Sequence, residues 1–310
     1  MRALLVVNPN ATTTSARTRE VLASALEGEL KLDVAHTEAR GHAAHLARQA
    51  RRDGMDVVVA LGGDGTVNEV VNGLLTPGGP GPDAPALAVV PGGGTNVFAR
   101  ALGIPRDPVE ATGVVLAALR ARRRRSIGLG VAGDRWFTFN AGMGWDAEVV
   151  ARVDRARRER AKRTTNRDYV RAALAEFFLS GDRRHPALTA YRPGAEPLAG
   201  VHLGIVANTA PWTYLGDRPL RTSPRASFDT GLDLYALTRL GTAHTLAEVR
   251  RLLAGTSAER SGRGVHREHD LAELTLRAVR PVAAQVDGES LGDLTALTFR
   301  SVPEAVRVVV

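Results

Sequence analysis

Cysteine is absent from the 310 residues, which excludes disulfides and thiol chemistry. Aromatic residues are scarce, at 5% of the chain, and none interleave with the basic runs as a nucleic-acid surface would require. No stretch approaches the roughly 20 consecutive apolar residues of a membrane span. The opening run, Met1 to Val7, is apolar but too short to read as a signal peptide, and Asn8-Pro9 ends it. Negative charge is the sign in short supply. Lys and Arg number 41 against 33 Asp and Glu, a formal +8, and arginine supplies nearly all of the excess. These absences point to a cytoplasmic protein with an anionic partner: a nucleotide, a nucleic acid or an anionic lipid surface. The missing aromatics put nucleic acid last.

The length suffices for two domains, and the apolar and charged fractions are those of a globular chain. One stretch organises the rest. Val57-Val58-Val59-Ala60-Leu61 is short, β-branched and continuous, so it reads as a buried strand. Gly62-Gly63-Asp64-Gly65-Thr66 follows as a tight turn. Val67, Val70, Val71 and Leu74 then recur at helical spacing. Glycines let the backbone approach a ligand closely, and a helix N-terminus offers unpaired N–H groups to a phosphate. Asp64 adds a carboxylate that a bare phosphate cradle would not use, whereas a cradle holding Mg²⁺ would. The stretch is neither a P-loop, having no Lys-Ser/Thr after the glycines, nor a Gly-x-Gly-x-x-Gly dinucleotide turn. A second glycine turn, Pro91-Gly92-Gly93-Gly94-Thr95-Asn96, ends the strand Ala86 to Val90. Strands alternating with helices predict a parallel, doubly wound sheet, and ligands of such sheets bind beyond the carboxyl ends of the strands.

Gly62-Gly63-Asp64-Gly65-Thr66, with Asn68-Glu69 and Asn72-Gly73, resembles the catalytic motif of the diacylglycerol kinase family, which is related to the sphingosine and ceramide kinases. NAD kinases and phosphofructokinases share the Gly-Gly-Asp-Gly core more distantly. The resemblance implies a nucleotide site that begins at Asn8, with the Thr12–Ser15 hydroxyls beside it, and includes Thr37, Gly62, Gly63, Asp64, Gly65, Thr66, Asn68, Glu69, Gly92, Gly93, Gly94 and Thr95. For the individual threonines an ordinary N-cap cluster is the better reading. Asn140-Ala141-Gly142-Met143-Gly144-Trp145-Asp146 is similar to a family segment at the domain interface, and Asp146 is expected to cap the following helix. Ser227-Phe228-Asp229-Thr230-Gly231-Leu232 resembles a loop that binds a structural Mg²⁺ in relatives. Here Thr230 replaces the best-matching Asp, leaving Asp229 as the candidate ligand. Family carboxylates are also missing at Val97 and Gly128. Asp287-Gly288-Glu289 matches a family turn that faces the nucleotide across a cleft. Asp287 suits the turn itself, and Glu289 is the expected general base.

The fold expected is α/β: a doubly wound parallel-sheet domain over residues 1–125, then a β-rich, sandwich-like domain over 126–310. The strands read in that second part are Ala187–Tyr191, Val201–Ala207, Leu232–Thr238, Leu271–Arg277, Ala283–Val286 and Leu294–Phe299. The expected activity is transfer of the γ-phosphate of ATP to a hydroxyl of diacylglycerol or a similar lipid, with Mg²⁺ organised by Asp64. Asp64, Asp287 and Glu289 are the expected catalytic carboxylates. The alternatives are an NAD kinase-like enzyme and a non-catalytic nucleotide or lipid sensor. The expected partner is a lipid substrate at an anionic membrane, contacted peripherally through arginine-rich segments such as Arg120–Arg125 and Arg152–Arg171. A homodimer is left open. His42 and His45 could share a metal, but no third ligand is evident.

Overall fold

The structure, a computed structural model, describes all residues except 12, 77–78, 80, 82–83, 161–184 and 256–261, together with the side chains at 154 and 156–160. It divides into two compact units, Met1–Leu129 with Pro303–Val310, and Gly130–Val302.

The first unit alternates strand and helix. Its elements are β1 (Arg2–Val7), α1 (Ala16–Glu27), β2 (Lys31–His36), α2 (His42–Arg52), β3 (Val57–Gly62), α3 (Asp64–Leu74), β4 (Ala86–Pro91), α4 (Val97–Ala101) and α5 (Pro108–Arg120). The strands lie in the order β4-β3-β1-β2, all parallel. This is the expected doubly wound sheet. Every residue of β3 and β4 is buried, because helices cover both faces of a parallel sheet. Val57, Val59, Leu61, Ala88 and Val90 join Leu22 and Leu26 of α1 and Val115 of α5 in one core. Each such buried Val or Leu contributes roughly 1.5–3 kcal/mol. On another face Gly73 of α3 meets α2: a Cβ there would collide with the Ala44 carbonyl and the Ala47 methyl.

Local chemistry sets the helix ends. Ser15 caps α1, its hydroxyl accepting from Thr18 N at 3.0 Å, so that hydroxyl is structural. The helix stops at Glu27 with Gly28 as its C-cap, three residues short of the Leu30 that apolar spacing suggests. Asp107 caps α5 through Val109 N and Glu110 N, with Pro108 at the first position.

The second unit contains β5 (Arg125–Ala132), which enters from the first, then β6 (Arg135–Phe137), β7 (Asn140–Gly144), α6 (Trp145–Arg160), β8 (Leu188–Tyr191), β9 (Leu198–Val201), β10 (Leu203–Ala207), β11 (Thr213–Leu215), β12 (Arg218–Leu220), β13 (Leu232–Leu237), α7 (Thr242–Ala254), β14 (Val265–Leu271), β15 (Glu273–Val286) and β16 (Glu289–Val308). The strands β14-β13-β10-β7-β15-β16 form one antiparallel succession. β15 changes neighbours across an irregularity between Arg277 and Val282: Thr275–Ala278 pair with β8 and Ala284–Val286 with β7. A strand that switches partners in this way lets one ladder build two layers around a core. Phe137, Met143, Leu188, Leu234, Leu276 and Phe299 fill it.

Three sequence expectations need correction. The chain does not leave the first unit for good at residue 125. The end of β16 returns to pair in parallel with β4, Val308 opposite Leu87, so residues 303–310 belong to the first unit. The run Trp136 to Asn140, whose bulky and β-branched residues predict one strand, is two, broken at Thr138-Phe139, whose N–H groups turn toward a carboxylate instead of a ladder. Three of the strands read from sequence, Leu271–Arg277, Ala283–Val286 and Leu294–Phe299, fall on the one long β15–β16 hairpin, and β14 is absent from that reading: its His266, Arg267, Glu268, His269 and Asp270 look like a solvated loop rather than a strand. Arg152 lies in α6, and much of the arginine-rich stretch after it, with the apolar face read at Tyr169–Leu179, falls outside the described residues.

Candidate active site

In the first unit the parallel register brings the carboxyl ends of four strands to one edge. Val7 lies opposite both His36 and Leu61, and Gly62 opposite Pro91. The two glycine turns therefore leave the sheet side by side. Gly92 N donates to the Gly62 carbonyl at 2.7 Å. A Cβ on Gly92 would stand 3.0 Å from Gly62 Cα, and one on Gly93 would stand 2.7 Å from Gly63 Cα. The turns pack backbone on backbone, and only glycine permits that approach. At Gly94 a Cβ would meet nothing, so packing does not explain that glycine. Asn96, at φ 50°, closes the second turn by accepting from Gly93 N at 2.9 Å and donating to the Gly93 carbonyl at 2.6 Å. Thr95 lies within that closed loop.

Asp64 does more than sit in a turn. Its two carboxylate oxygens accept from Val97 N at 3.0 Å and Phe98 N at 3.1 Å. It is the cap of α4, and it ties the first glycine turn to the second. Glu69 plays the same part toward α2, accepting from Gly41 N at 2.8 Å and Ala43 N at 3.2 Å. An acid at a helix N-terminus is favourable to both the dipole and the orphan donors. The N-terminus of α3, by contrast, has no side-chain cap, so the donors of Asp64, Gly65 and Thr66 face the edge where the strands end.

Asn8 follows β1, and its Nδ2 donates to Thr66 Oγ1 at 3.0 Å. Asn68 is fully buried, and its side-chain oxygen accepts from Asn72 Nδ2. Thr37 follows β2, its N–H donating to the Val7 carbonyl. Thus Asn8, Thr37, Gly62–Thr66 and Gly92–Thr95 gather on one edge. Glu69 and Asn68 point their side chains into supporting bonds.

In the second unit Asp287 and Gly288 make a two-residue hairpin between Val286 and Glu289, at φ 48° and 77°. This is the Asp-Gly turn with both central residues left-handed. Asp287 is buried. Its Oδ2 accepts from Thr138 N at 2.7 Å and Thr138 Oγ1 at 2.8 Å, and its Oδ1 from Phe139 N at 3.0 Å and Asn140 N at 3.1 Å. Burial raises its pKa above the usual carboxylate range, and these donors offset only part of that rise. Glu289 is different. It is partly exposed and its Oε2 accepts from Arg135 Nη2 at 2.6 Å.

Behind the hairpin lies a group that the sequence does not advertise. Gln285 is buried, its Oε1 accepts from Gly288 N at 3.0 Å, and its Nε2 donates to Asn140 Oδ1 at 2.9 Å and Asp146 Oδ2 at 3.1 Å. Asp146 is buried too, and burial pushes its pKa up to about 6 although the Gln285 amide pulls it down. The expectation that Asp146 caps a helix is corrected: α6 begins at Trp145, so Asp146 lies inside the first turn and its carboxylate is turned to Gln285.

The remaining candidates do not converge. Asp229 is exposed, its N–H donates to Ser227 Oγ, and Thr230 Oγ1 donates to the Ser227 carbonyl. The loop closes on its own hydroxyls. Among the described residues no three His, Asp or Glu side chains are grouped to hold a metal, at Asp229 or at His42 and His45. His42 Nδ1 instead accepts from Glu38 N. Val97 is buried in α4, and Gly128 is a buried residue of β5.

The diacylglycerol kinase catalytic domain matches residues 2–130. The catalytic-domain segment is 41% identical over 115 residues to the diacylglycerol kinase of Bacillus subtilis (strain 168), covering 37% of this chain and 35% of that protein. It is 45% identical over 80 residues to the diacylglycerol kinase of Staphylococcus aureus (strain Newman), covering 26% and 24%. The chain thus matches about a third of the first relative's length and about a quarter of the second's. Similarity of fold runs further. A solved diacylglycerol kinase from Bacillus anthracis str. Sterne covers 99% of this chain and 96% of its own, with TM-score 0.71 at 19% identity. A second solved structure from that organism gives 0.77 at 19% identity over the same shares. The catalytic-domain match ends where β5 passes into the second unit, so Asp287, Glu289, Gln285 and Asp146 lie outside it.

Proposed function

We propose that this chain transfers the γ-phosphate of ATP to a hydroxyl of diacylglycerol or a similar lipid. The observation that carries the reading is the pair of glycine turns packed backbone on backbone beside the uncapped N-terminus of α3. Such an edge presents N–H donors and a dipole to phosphate oxygens at close range. The match of residues 2–130 to a kinase catalytic domain supports it, and the names of the relatives suggest the acceptor.

Asp64 is the proposed metal carboxylate. Its oxygens accept from Val97 N and Phe98 N at the ligand-facing edge, and a carboxylate in that place fits Mg²⁺ bound through one carboxylate, waters and phosphates. Bound there, the ion would neutralise charge on the phosphates. Asp64 would also keep both glycine turns in register, since it joins them.

Glu289 is the proposed proton acceptor for the lipid hydroxyl. Asp287 is unsuited: four donors already occupy its oxygens. Arg135 orients the Glu289 carboxylate. Phosphoryl transfer asks the protein mainly for positioning and charge stabilisation, and both carboxylates serve positioning. Peripheral contact with an anionic membrane belongs to the same proposal. Among the described residues no helix is long and apolar enough to cross a bilayer.

The test is incubation with γ-labelled ATP and a total lipid extract, with NAD in a parallel reaction. A labelled lipid supports the reading. Labelled NADP with no labelled lipid would replace the acceptor, and no transfer to either would leave a nucleotide-binding relative without turnover.

A further inference from the structure

α7 is amphipathic in the wrong sense for a helix that packs on a core. Its buried residues are Thr245 and Glu248. Its exposed residues include Ala243, Leu246, Ala247, Val249, Arg250, Arg251 and Ala254, with Leu246 59% and Val249 41% exposed. Leu246, Val249, Arg250 and half-buried Leu253 recur at i, i+3, i+4 and i+7, so they form one stripe. The polar side faces inward because charges wait for it there. Glu248 accepts from Arg267 Nη2 at 2.8 Å and from the Tyr235 hydroxyl at 3.2 Å. Arg267 in turn lies over the Tyr235 ring at 4.8 Å and donates to the Thr222 carbonyl. This buried network anchors the helix to β13 and β14 and leaves its apolar stripe outward.

We infer that α7 is a membrane-docking helix, whose outward stripe enters the interface of an anionic bilayer. Charge selects the occupant. The one acid of α7, Glu248, is buried and takes Arg251 as well as Arg267, at 3.3 and 2.8 Å, so among the described residues of the helix the outward stripe of Leu246, Val249, Arg250 and Leu253 carries a positive charge and no acid. Apolar residues flanked by Arg, with long stems that reach outward, are the chemistry of a helix lying in the headgroup region. A neighbouring element repeats it. Val279, 86% exposed, is bracketed by Arg277 and Arg280 on the irregular part of β15, and Arg280 lines the same small cavity as Leu240, just before α7. Arg277 also lies over the ring of Tyr191, itself partly exposed.

A second copy of the chain fits less well. A two-fold contact through this stripe would set Arg250 toward Arg250 with no acid on the helix face to separate them. Three apolar side chains also fall short of the roughly 800 Å² per partner of a stable interface. The inference rests on the acceptor being a lipid, and it gives that reaction its place of encounter.

The experiment is sedimentation of the full chain with vesicles of equal phosphatidylglycerol and phosphatidylcholine, against vesicles of phosphatidylcholine alone. The wild type should sediment with the mixed vesicles. Leu246→Gln with Val249→Gln should weaken binding at least about tenfold, from the apolar area withheld. Arg250→Gln should weaken it less and reduce its salt dependence. Phosphorylation of diacylglycerol dispersed in detergent micelles should be unchanged in all of them, since these residues are outside the catalytic machinery. If the wild type phosphorylates no lipid in micelles, the kinase reading fails on its own, whatever the vesicles show. Undiminished vesicle binding by the double variant overturns the docking helix. So does a wild-type dimer in sedimentation velocity that the same substitutions turn into monomer.

Discussion

Asp64 and Asp287 occupy similar sequence, each beside glycine just past a buried strand, yet the two units use them differently. Asp64 joins two loops by accepting from Val97 N and Phe98 N, and it is only half-buried. Asp287 is buried and accepts two hydrogen bonds per oxygen, holding a left-handed turn and the break between β6 and β7. A half-buried carboxylate on a ligand-facing edge can serve chemistry as well as structure. A saturated, buried one serves structure alone. Residue type and glycine neighbours do not tell these apart; exposure does.

The largest expected effect is at Asp64, the more exposed member. Asp64→Asn should lower lipid phosphorylation by about 10³-fold, the size of a lost electrostatic group in an active site. Unfolding in urea should shift by no more than about 1 kcal/mol, as for a weakened helix cap. Near-normal transfer by a folded Asp64→Asn protein would end the assignment. Glu289→Gln should lower kcat by about 10²–10⁴-fold, as for a missing general base, with KM for ATP little changed. Full turnover would place the base elsewhere.

At the saturated member the order of effects reverses. Asp287→Asn puts an amide NH₂ against donors that face it from Thr138, Phe139 and Asn140. At least one buried donor loses its acceptor, so stability should fall by about 2–4 kcal/mol. Any rate loss should follow the fraction unfolded and recover at lower temperature. Equal stability of the Asp287→Asn protein, measured in urea, would erase the contrast with Asp64.

The legible part of the molecule was the part built from periodic apolar residues and glycine. β3, β4, α3 and the two turns follow from Val57–Gly73 and Ala86–Asn96, because a buried parallel strand and a helix entry leave strong local patterns. Asn8 and Thr37 needed the family resemblance, since a lone polar residue after a strand has many uses. What the sequence hid depends on distant pairing. The return of β16 to Leu87 is one parallel contact between residues over two hundred apart. β14 reads as polar because its Arg267 and His269 pair with Glu248 and Asp233 rather than with water. Glu69 looks like a ligand group until its helix-cap partner 28 residues away is visible, and the part Asp64 plays in joining the two turns shows only through a partner 33 residues away. Gln285 carries no signal at all. An amide becomes important only when its two ends meet Gly288 and Asp146.

Asp146 sharpens the comparison in a third way, as a buried carboxylate with too few donors rather than enough. Its one hydrogen bond to a neutral amide does not offset desolvation, so its pKa rises from 3.8 to about 6. A raised acid binds its proton more tightly when folded than when unfolded. Between about pH 4 and pH 6 the native state therefore holds more protons, and stability must fall as pH rises through that window. Two pKa units correspond to at most about 3 kcal/mol, lost by neutral pH. Asp146→Asn keeps an acceptor for Gln285 and has nothing to ionise. It should raise the melting temperature at pH 7 and flatten its slope between pH 4 and 6, while matching the wild type at pH 4. Asp287→Asn should lose stability at every pH, because its damage is to geometry. Melting curves of the three proteins across that range decide it. If Asp146→Asn keeps the wild-type slope, the titrating group is another one. If it melts lower at pH 7, the carboxylate is held by more than Gln285 and belongs with Asp287.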